Sequence, residues 1–99
     1  MDILSDMEQD RLEIIKKHID NGVIFKSTDC VYVSSETIIG EGTTIDCNNI
    51  FRGKCVIGKN VVIGDGNTLT DCTLGNNVVI QKSVVCNATI KQNTIVGPW

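Results

Sequence analysis

The chain has 99 residues, a formal net charge of −3 at neutral pH and a pI near 4.9, and a chain of that length makes one domain at most. No basic stretch exceeds Lys16-Lys17, so nucleic-acid binding has no electrostatic support, and no apolar run approaches the roughly 20 residues of a membrane span. The N-terminus is acidic and has no charged-then-apolar leader pattern, which predicts a cytoplasmic protein with no membrane partner.

The first element is an amphipathic helix over residues 1–21. Ser5-Asp6-Met7-Glu8 fits a capping box. Leu4, Leu12, Ile15 and Ile19 lie near one helical face, with Asp10, Glu13, Lys16 and Lys17 elsewhere. Asn21-Gly22 then supplies a stop that tolerates left-handed backbone. A helix this short is marginal alone, so its apolar stripe needs a partner surface.

Residues 22–99 follow a different rule. Ile39, Ile45, Phe51, Ile57, Ile63 and Leu69 fall six apart, and the beat runs on through Leu74, Ile80, Val85, Ile90 and Val96 with some steps shortened to five. That period is neither helical nor that of an ordinary strand, so one coil must repeat along most of the chain. In the unit Ile39-Gly40-Glu41-Gly42-Thr43-Thr44 the first residue is aliphatic and the fifth is small. Three such units closing a triangular coil of about 18 residues put every third unit on the same face. The small positions then sort into columns: Thr37-Cys55-Cys72-Ala88, Thr43-Val61-Val78-Thr94 and Asn49-Asn67-Ser83. The shortened repeats keep this sorting if the missing residue is lost at a turn. Gly42, Asn60, Asn77 and Asn93 recur at one corner, with Gly40, Gly58 and Gly75 two residues earlier. Gly and Asn enter positive φ most cheaply, as a repeated corner requires.

The expected architecture is all-β. Short parallel strands stack coil on coil, with about four coils and hydrogen bonds along the axis. The helix can cover one end of the stack. The run Ile95-Val96-Gly97-Pro98-Trp99 stops in mid-repeat without a cap, and such an end exposes strand edges.

This pattern resembles the hexapeptide-repeat left-handed parallel β-helix. His18-Ile19-Asp20-Asn21-Gly22-Val23, the stretch from Tyr32 to Gly40, Val56-Ile57-Gly58, Val62-Ile63-Gly64-Asp65-Gly66 and Val96-Gly97-Pro98 are similar to one region of a more particular family. That family is the bifunctional N-acetylglucosamine-1-phosphate uridyltransferases / glucosamine-1-phosphate acetyltransferases. The resemblance covers the end of that family's linker helix and its first coils. It implies that the uridyltransferase part would precede Met1 and that the acetyltransferase residues would lie on later coils. The family's Asp-Pro pair after the Gly-Val is replaced by Lys26-Ser27-Thr28-Asp29.

Candidate chemistry is sparse. His18 is the only histidine; it could serve as the base of an acyl transfer, but a helix C-terminal His favoured by the dipole is the simpler reading. One His per chain speaks against a three-His metal site. Cys30, Cys47, Cys55, Cys72 and Cys86 are odd in number and contain no C-x-x-C pair, so they are expected as reduced, structural thiols, with Cys86 the best candidate for exposure. The Asn49-Asn67-Ser83 column is either a polar binding strip or an internal amide ladder. Thr43, Thr44, Thr68, Thr70 and Thr73 do not pair regularly enough for a flat ice-binding face. Asp65 and Asp71 are turn residues first. Arg52, Lys54, Lys59, Lys82 and Lys91 would make a phosphate or coenzyme A site only if they converge.

The expected function is a non-catalytic assembly module related to UDP-N-acetylglucosamine biosynthesis. No catalytic, cofactor-binding or metal residue is assigned. The alternative is an acetyl-CoA-dependent acyltransferase with a site between chains. The expected partners are further copies, as a homotrimer or as trimers stacked end to end, and a separate nucleotidyltransferase protein.

Overall fold

Each rung of this protein is built from a short triplet: a small residue pointing in, a residue pointing out, and a large aliphatic residue pointing in. Thr43-Thr44-Ile45 is one such triplet, with Thr43 and Ile45 fully buried and Thr44 between them partly exposed. The computed structural model describes residues 3–28 and 30–97, with side chains from residue 9 onward.

One helix, α1 (Ile3–Asp20), precedes thirteen short strands. The first coil holds β1 (Ile24–Phe25), β2 (Val31–Val33) and β3 (Ile38–Ile39), and the second holds β4 (Thr44–Ile45), β5 (Asn49–Arg52) and β6 (Val56–Ile57). The third holds β7 (Val62–Ile63), β8 (Thr68–Thr70) and β9 (Thr73–Leu74), and the fourth holds β10 (Val79–Ile80), β11 (Val84–Cys86) and β12 (Thr89–Ile90). Strand β13 (Ile95–Val96) begins a further turn. All pairing is parallel. Face one is β1-β4-β7-β10-β13, face two is β2-β5-β8-β11, and face three is β3-β6-β9-β12. This is the left-handed parallel β-helix of about four coils that the repeat implies.

The shortened repeats are absorbed at corners. Thr44 pairs with Val62, Val62 with Val79 and Val79 with Ile95, so successive coils shorten by one residue each while the register is kept. The missing residues fall beside Asp71, Lys82 and Asn87, which take φ of 47°, 47° and 52°. Their counterparts on the second coil, Gly53 and Asn48, also have positive φ, at 66° and 59°. At the corner between faces three and one, Gly42, Asn60, Asn77 and Asn93 lie at φ of 78°, 56°, 61° and 62°. All three corners therefore turn through a left-handed residue, and only the last was legible as a column. Lys82 hides one of the other two, because lysine does not announce that conformation, whereas Asp71 fits its reading as a turn residue.

Close stacking of coils explains Gly75. A Cβ there would come within 2.6 Å of the Gln92 backbone nitrogen on the next coil, so only glycine lets the two corners approach.

The inward columns are the expected ones. Ile45, Phe51, Cys55, Val61, Leu69, Val78 and Ile80 have no exposed surface. Among polar inward residues, Thr43 Oγ1 donates to Gly58 O at 2.8 Å and accepts from Val61 N at 3.2 Å. The Asn49-Asn67-Ser83 column is an internal ladder. Asn49 Nδ2 donates to Asp46 O at 2.7 Å, and Asn67 Nδ2 donates to Gly64 O at 2.8 Å and Asn49 Oδ1 at 3.0 Å. Asn67 Oδ1 accepts from Ser83 N at 2.9 Å. No buried side-chain nitrogen or oxygen among the described residues lacks a partner. Ala88 departs from the pattern and is exposed, because β12 pairs only with β9 and no described strand covers its other side.

α1 ends as its sequence predicts. Gly22, at φ 93°, donates to Ile19 O at 3.0 Å, and Val23 N reaches His18 O at 3.0 Å. These are the two bonds of a Schellman stop, and Val23 goes straight into the core, 2% exposed. Two expectations for the helix are corrected. First, α1 already includes Ser5, so the chain is helical upstream of the predicted cap; the Ser5 and Glu8 side chains lie outside the described residues. Second, the apolar stripe is not buried as a unit. Ile15 is 1% exposed, whereas Leu12 and Ile19 are 43% and 45% exposed; the Leu4 side chain lies outside the described residues. A single flank touches the coil because Arg11 fixes the helix there, its Nη1 donating to Thr28 O at 2.6 Å and Val31 O at 2.8 Å. Sequence reasoning passed over Arg11, since an arginine on a short helix reads as solvated.

Candidate functional site

A concavity lies where α1 meets the first coil. Its helix wall is Ile14, Lys17, His18 and Asn21; its other wall is the corner 35–39. Its volume is about 520 Å³, and it continues along the helix past Asp10 and Glu13. The floor is aliphatic, from Ile14, Ile38 and Ile39, and the rim is charged.

His18 lines this groove and sits on none of the three β-faces. Burial, and secondly the charge of Lys17, hold its imidazole below the ordinary value of 6.5. The neutral form is therefore the one the fold prefers. The unfolded chain takes up a proton as pH falls below 6.5 while the folded chain resists it, so stability from this group is present above 6.5 and declines as the solution is acidified toward the folded-state value. A His18→Asn variant should show a flatter pH dependence of thermal melting below 6.5 than the parent. Equal slopes would remove His18 from the account.

The candidate cations do not converge. Arg52 ends β5, Lys54 lies at the corner between faces two and three, and Lys82 at that between faces one and two. Lys59 and Lys91 share the third corner on different coils, and Lys59 is 3.7 Å from Glu41 in an exposed pair. A shallow depression on face three, lined by Thr73, Gly75, Asn76, Thr89, Ile90, Lys91 and Gln92, holds a single cation. No polyanion site is assembled from these groups within one chain.

The cysteines divide. Cys55 and Cys72 stack inside, with sulfurs 4.0 Å apart. Cys72 donates toward Cys55, and that bond together with burial pushes its thiol well above the ordinary value. Cys30 and Cys86 are exposed and Cys47 is half-buried. Cys86 is thus at the surface as expected, and the Asn87 amide donates to its sulfur at 3.3 Å. Among the described residues no group of three or more His, Cys, Asp or Glu is placed to hold a metal ion, and no helix is long and apolar enough to cross a membrane.

The remaining feature is the outward side of face one. Its column reads Ile24, Thr44, Val62, Val79 and Ile95, one residue per rung. Ile24, Val62 and Ile95 are 55%, 41% and 75% exposed. Every member is β-branched and uncharged. Face three presents Ile38, Val56, Thr73 and Thr89, and face two presents Tyr32, Ile50, Thr68 and Val84. The threonines are dispersed over all three faces, which makes no flat hydroxyl array. Face one was not singled out from sequence because its members alternate with inward residues, and the six-residue beat draws the eye to the latter.

Residues 36–71 match the family described as bacterial transferase hexapeptide (six repeats). The chain is 38% identical over 85 residues to the bifunctional protein GlmU of Lactobacillus johnsonii, covering 86% of this chain and 18% of that protein. It is 38% identical over 82 residues to GlmU of Clostridium beijerinckii, covering 83% and 18%, and 35% identical over 89 residues to GlmU of Caldanaerobacter subterraneus subsp. tengcongensis, covering 90% and 20%. The chain thus spans about a fifth of the length of the curated relatives it matches.

Proposed function

Starting from a hexapeptide-repeat chain that is similar over most of its length to one segment of the GlmU proteins, we propose that these residues act as an assembly module of sugar-nucleotide biosynthesis and form a homotrimer. The module itself does not transfer acetyl groups. The observation that carries this reading is the aliphatic outer column of face one, Ile24, Thr44, Val62, Val79 and Ile95. This column is uncharged on every rung and is the longest of the three, five strands against four, and a straight prism can associate with its own copies around an axis parallel to its length.

The placement of the single imidazole supports the second half of the proposal. His18 occupies the helix joint beside a lysine and sits on none of the three β-faces. A separately encoded nucleotidyltransferase is the proposed protein partner, and the cytoplasm its setting.

Val62→Lys tests the assembly claim. Val62 faces outward in the middle of face one, so a lysine there should leave the coil folded and convert trimer to monomer at micromolar concentration in light scattering. A variant that stays trimeric would move the interface off face one. Calorimetric titration with acetyl-CoA tests the other claim. The assembled chain is expected to give no binding heat, and saturable binding would favour an acyltransferase with a site between chains.

A further inference from the structure

Face one alone is too small for the interface it is asked to make. Its five strands, about 4.8 Å apart, make a strip about 20 Å tall, and each strand is two residues long, about 7 Å. The strip covers on the order of 150 Å², against about 800 Å² per partner in a standard stable interface. Further apolar surface has to join it.

α1 offers that surface in two unlike pieces. Leu12 and Ile19 are seven residues apart, both exposed, and form a ridge. By helical periodicity Ile14 lies on the far flank, roughly 140–160° away, where it floors the groove with Ile38 and Ile39. A ridge and a groove on opposite flanks of one helix suit a heterologous contact, which closes into a ring when the rotation between copies is right. The charges also match. Lys16 borders the ridge on its own helix; Glu36 on the far wall and Asp10 and Glu13 on the extension of the groove outnumber its one lysine, Lys17.

We propose that the Leu12–Ile19 ridge of each chain seats in the Ile14–Ile38–Ile39 groove of a second copy, with Lys16 against the acidic rim of that copy, so that α1 is part of the assembly interface. This rests on the trimer reading and extends it from the coil to the helix. It also gives the groove an occupant of stated chemistry: a helix with two aliphatic side chains one heptad apart and a flanking cation.

Sedimentation equilibrium of the full chain and its variants decides the matter, with circular dichroism reporting the fold. The double variant Leu12→Lys with Ile19→Lys changes only exposed positions and is expected to raise the concentration at half-assembly at least tenfold. Lys16→Glu should weaken assembly, and adding Glu13→Lys should restore it. That rescue cannot come from a variant that merely misfolds. If both helix variants assemble like the parent while Val62→Lys dissociates, the helix contact is overturned and the face-one trimer stands. If the parent is monomeric at every concentration, the trimer reading and the helix contact fall together.

Discussion

Phe51→Ala is expected to lower the free energy of unfolding by about 3–5 kcal/mol. Phe51 has no exposed surface and is the one fully buried aromatic side chain among the described residues, Phe25 on the first coil being only partly buried. Its backbone pairs with Val33 below and Leu69 above, so its ring spans the narrow interior where neighbouring coils place smaller aliphatics. The neighbours are fixed in register by hydrogen bonds along the axis, and they cannot slide inward to fill the space the ring leaves. The cost should therefore sit toward the upper end of the range, where collapse is poorest. A domain of this size holds about 5–15 kcal/mol in all, so the variant is expected to melt far below the parent in a thermal scan followed by circular dichroism. A loss under 1 kcal/mol would mean that the interior is plastic and that the packing described is wrong. An exposed control, Thr89→Ala, should change stability by no more than about 0.5 kcal/mol.

Asn67→Leu should do comparable damage for a different reason. The substitution keeps the branching of the side chain and enlarges it, so no cavity term enters. It strips partners from the backbone instead. Ser83 N loses its acceptor and Gly64 O loses its donor. Asn49 Oδ1 keeps the Asn67 backbone N–H at 3.1 Å. Two orphaned backbone groups inside a dry column cost about 1–3 kcal/mol each. Hydrogen exchange gives a sharper readout than melting, because the Ser83 amide should lose protection in the variant while the Val61 amide, held by Thr43, keeps it. Unchanged protection at Ser83 would show that water or another group replaces the Asn67 carboxamide.

Much of the fold was legible because a solenoid repeats its demands. A single inward Ile is ambiguous, but Ile39, Ile45, Ile57 and Ile63 on one beat leave no other architecture. The same redundancy places Asn49, Asn67 and Ser83 in one column on sequence grounds alone. What stayed hidden was whatever happens once. Arg11 ties the helix to the first coil through two carbonyls that no pattern predicts. Lys82 sits at a left-handed corner where glycine or asparagine would have been expected. The helix stripe also misled. Leu12, Ile15 and Ile19 lie within about 60° of one another on a helical wheel, yet of these Ile15 alone is buried, because the flank that meets the coil is the one that carries Arg11, Ile14 and Ile15. The outer column of face one escaped notice because its members are outward residues whose periodicity equals that of the core.

These features combine into one account of function. The candidate cations are spread over the three corners, the imidazole lines the helix joint, and uncharged residues run along the outer columns, that of face one being the longest. The proposed role as an assembly module draws on that distribution.

The measurement that reaches this claim most directly is the mass of the unmodified chain by sedimentation equilibrium, followed over a hundredfold range of concentration. The account predicts the mass of three chains at the upper concentrations, with dissociation on dilution. The mass of a single 10.8 kDa chain across the whole range would contradict it, and the outer column of face one would then need another partner.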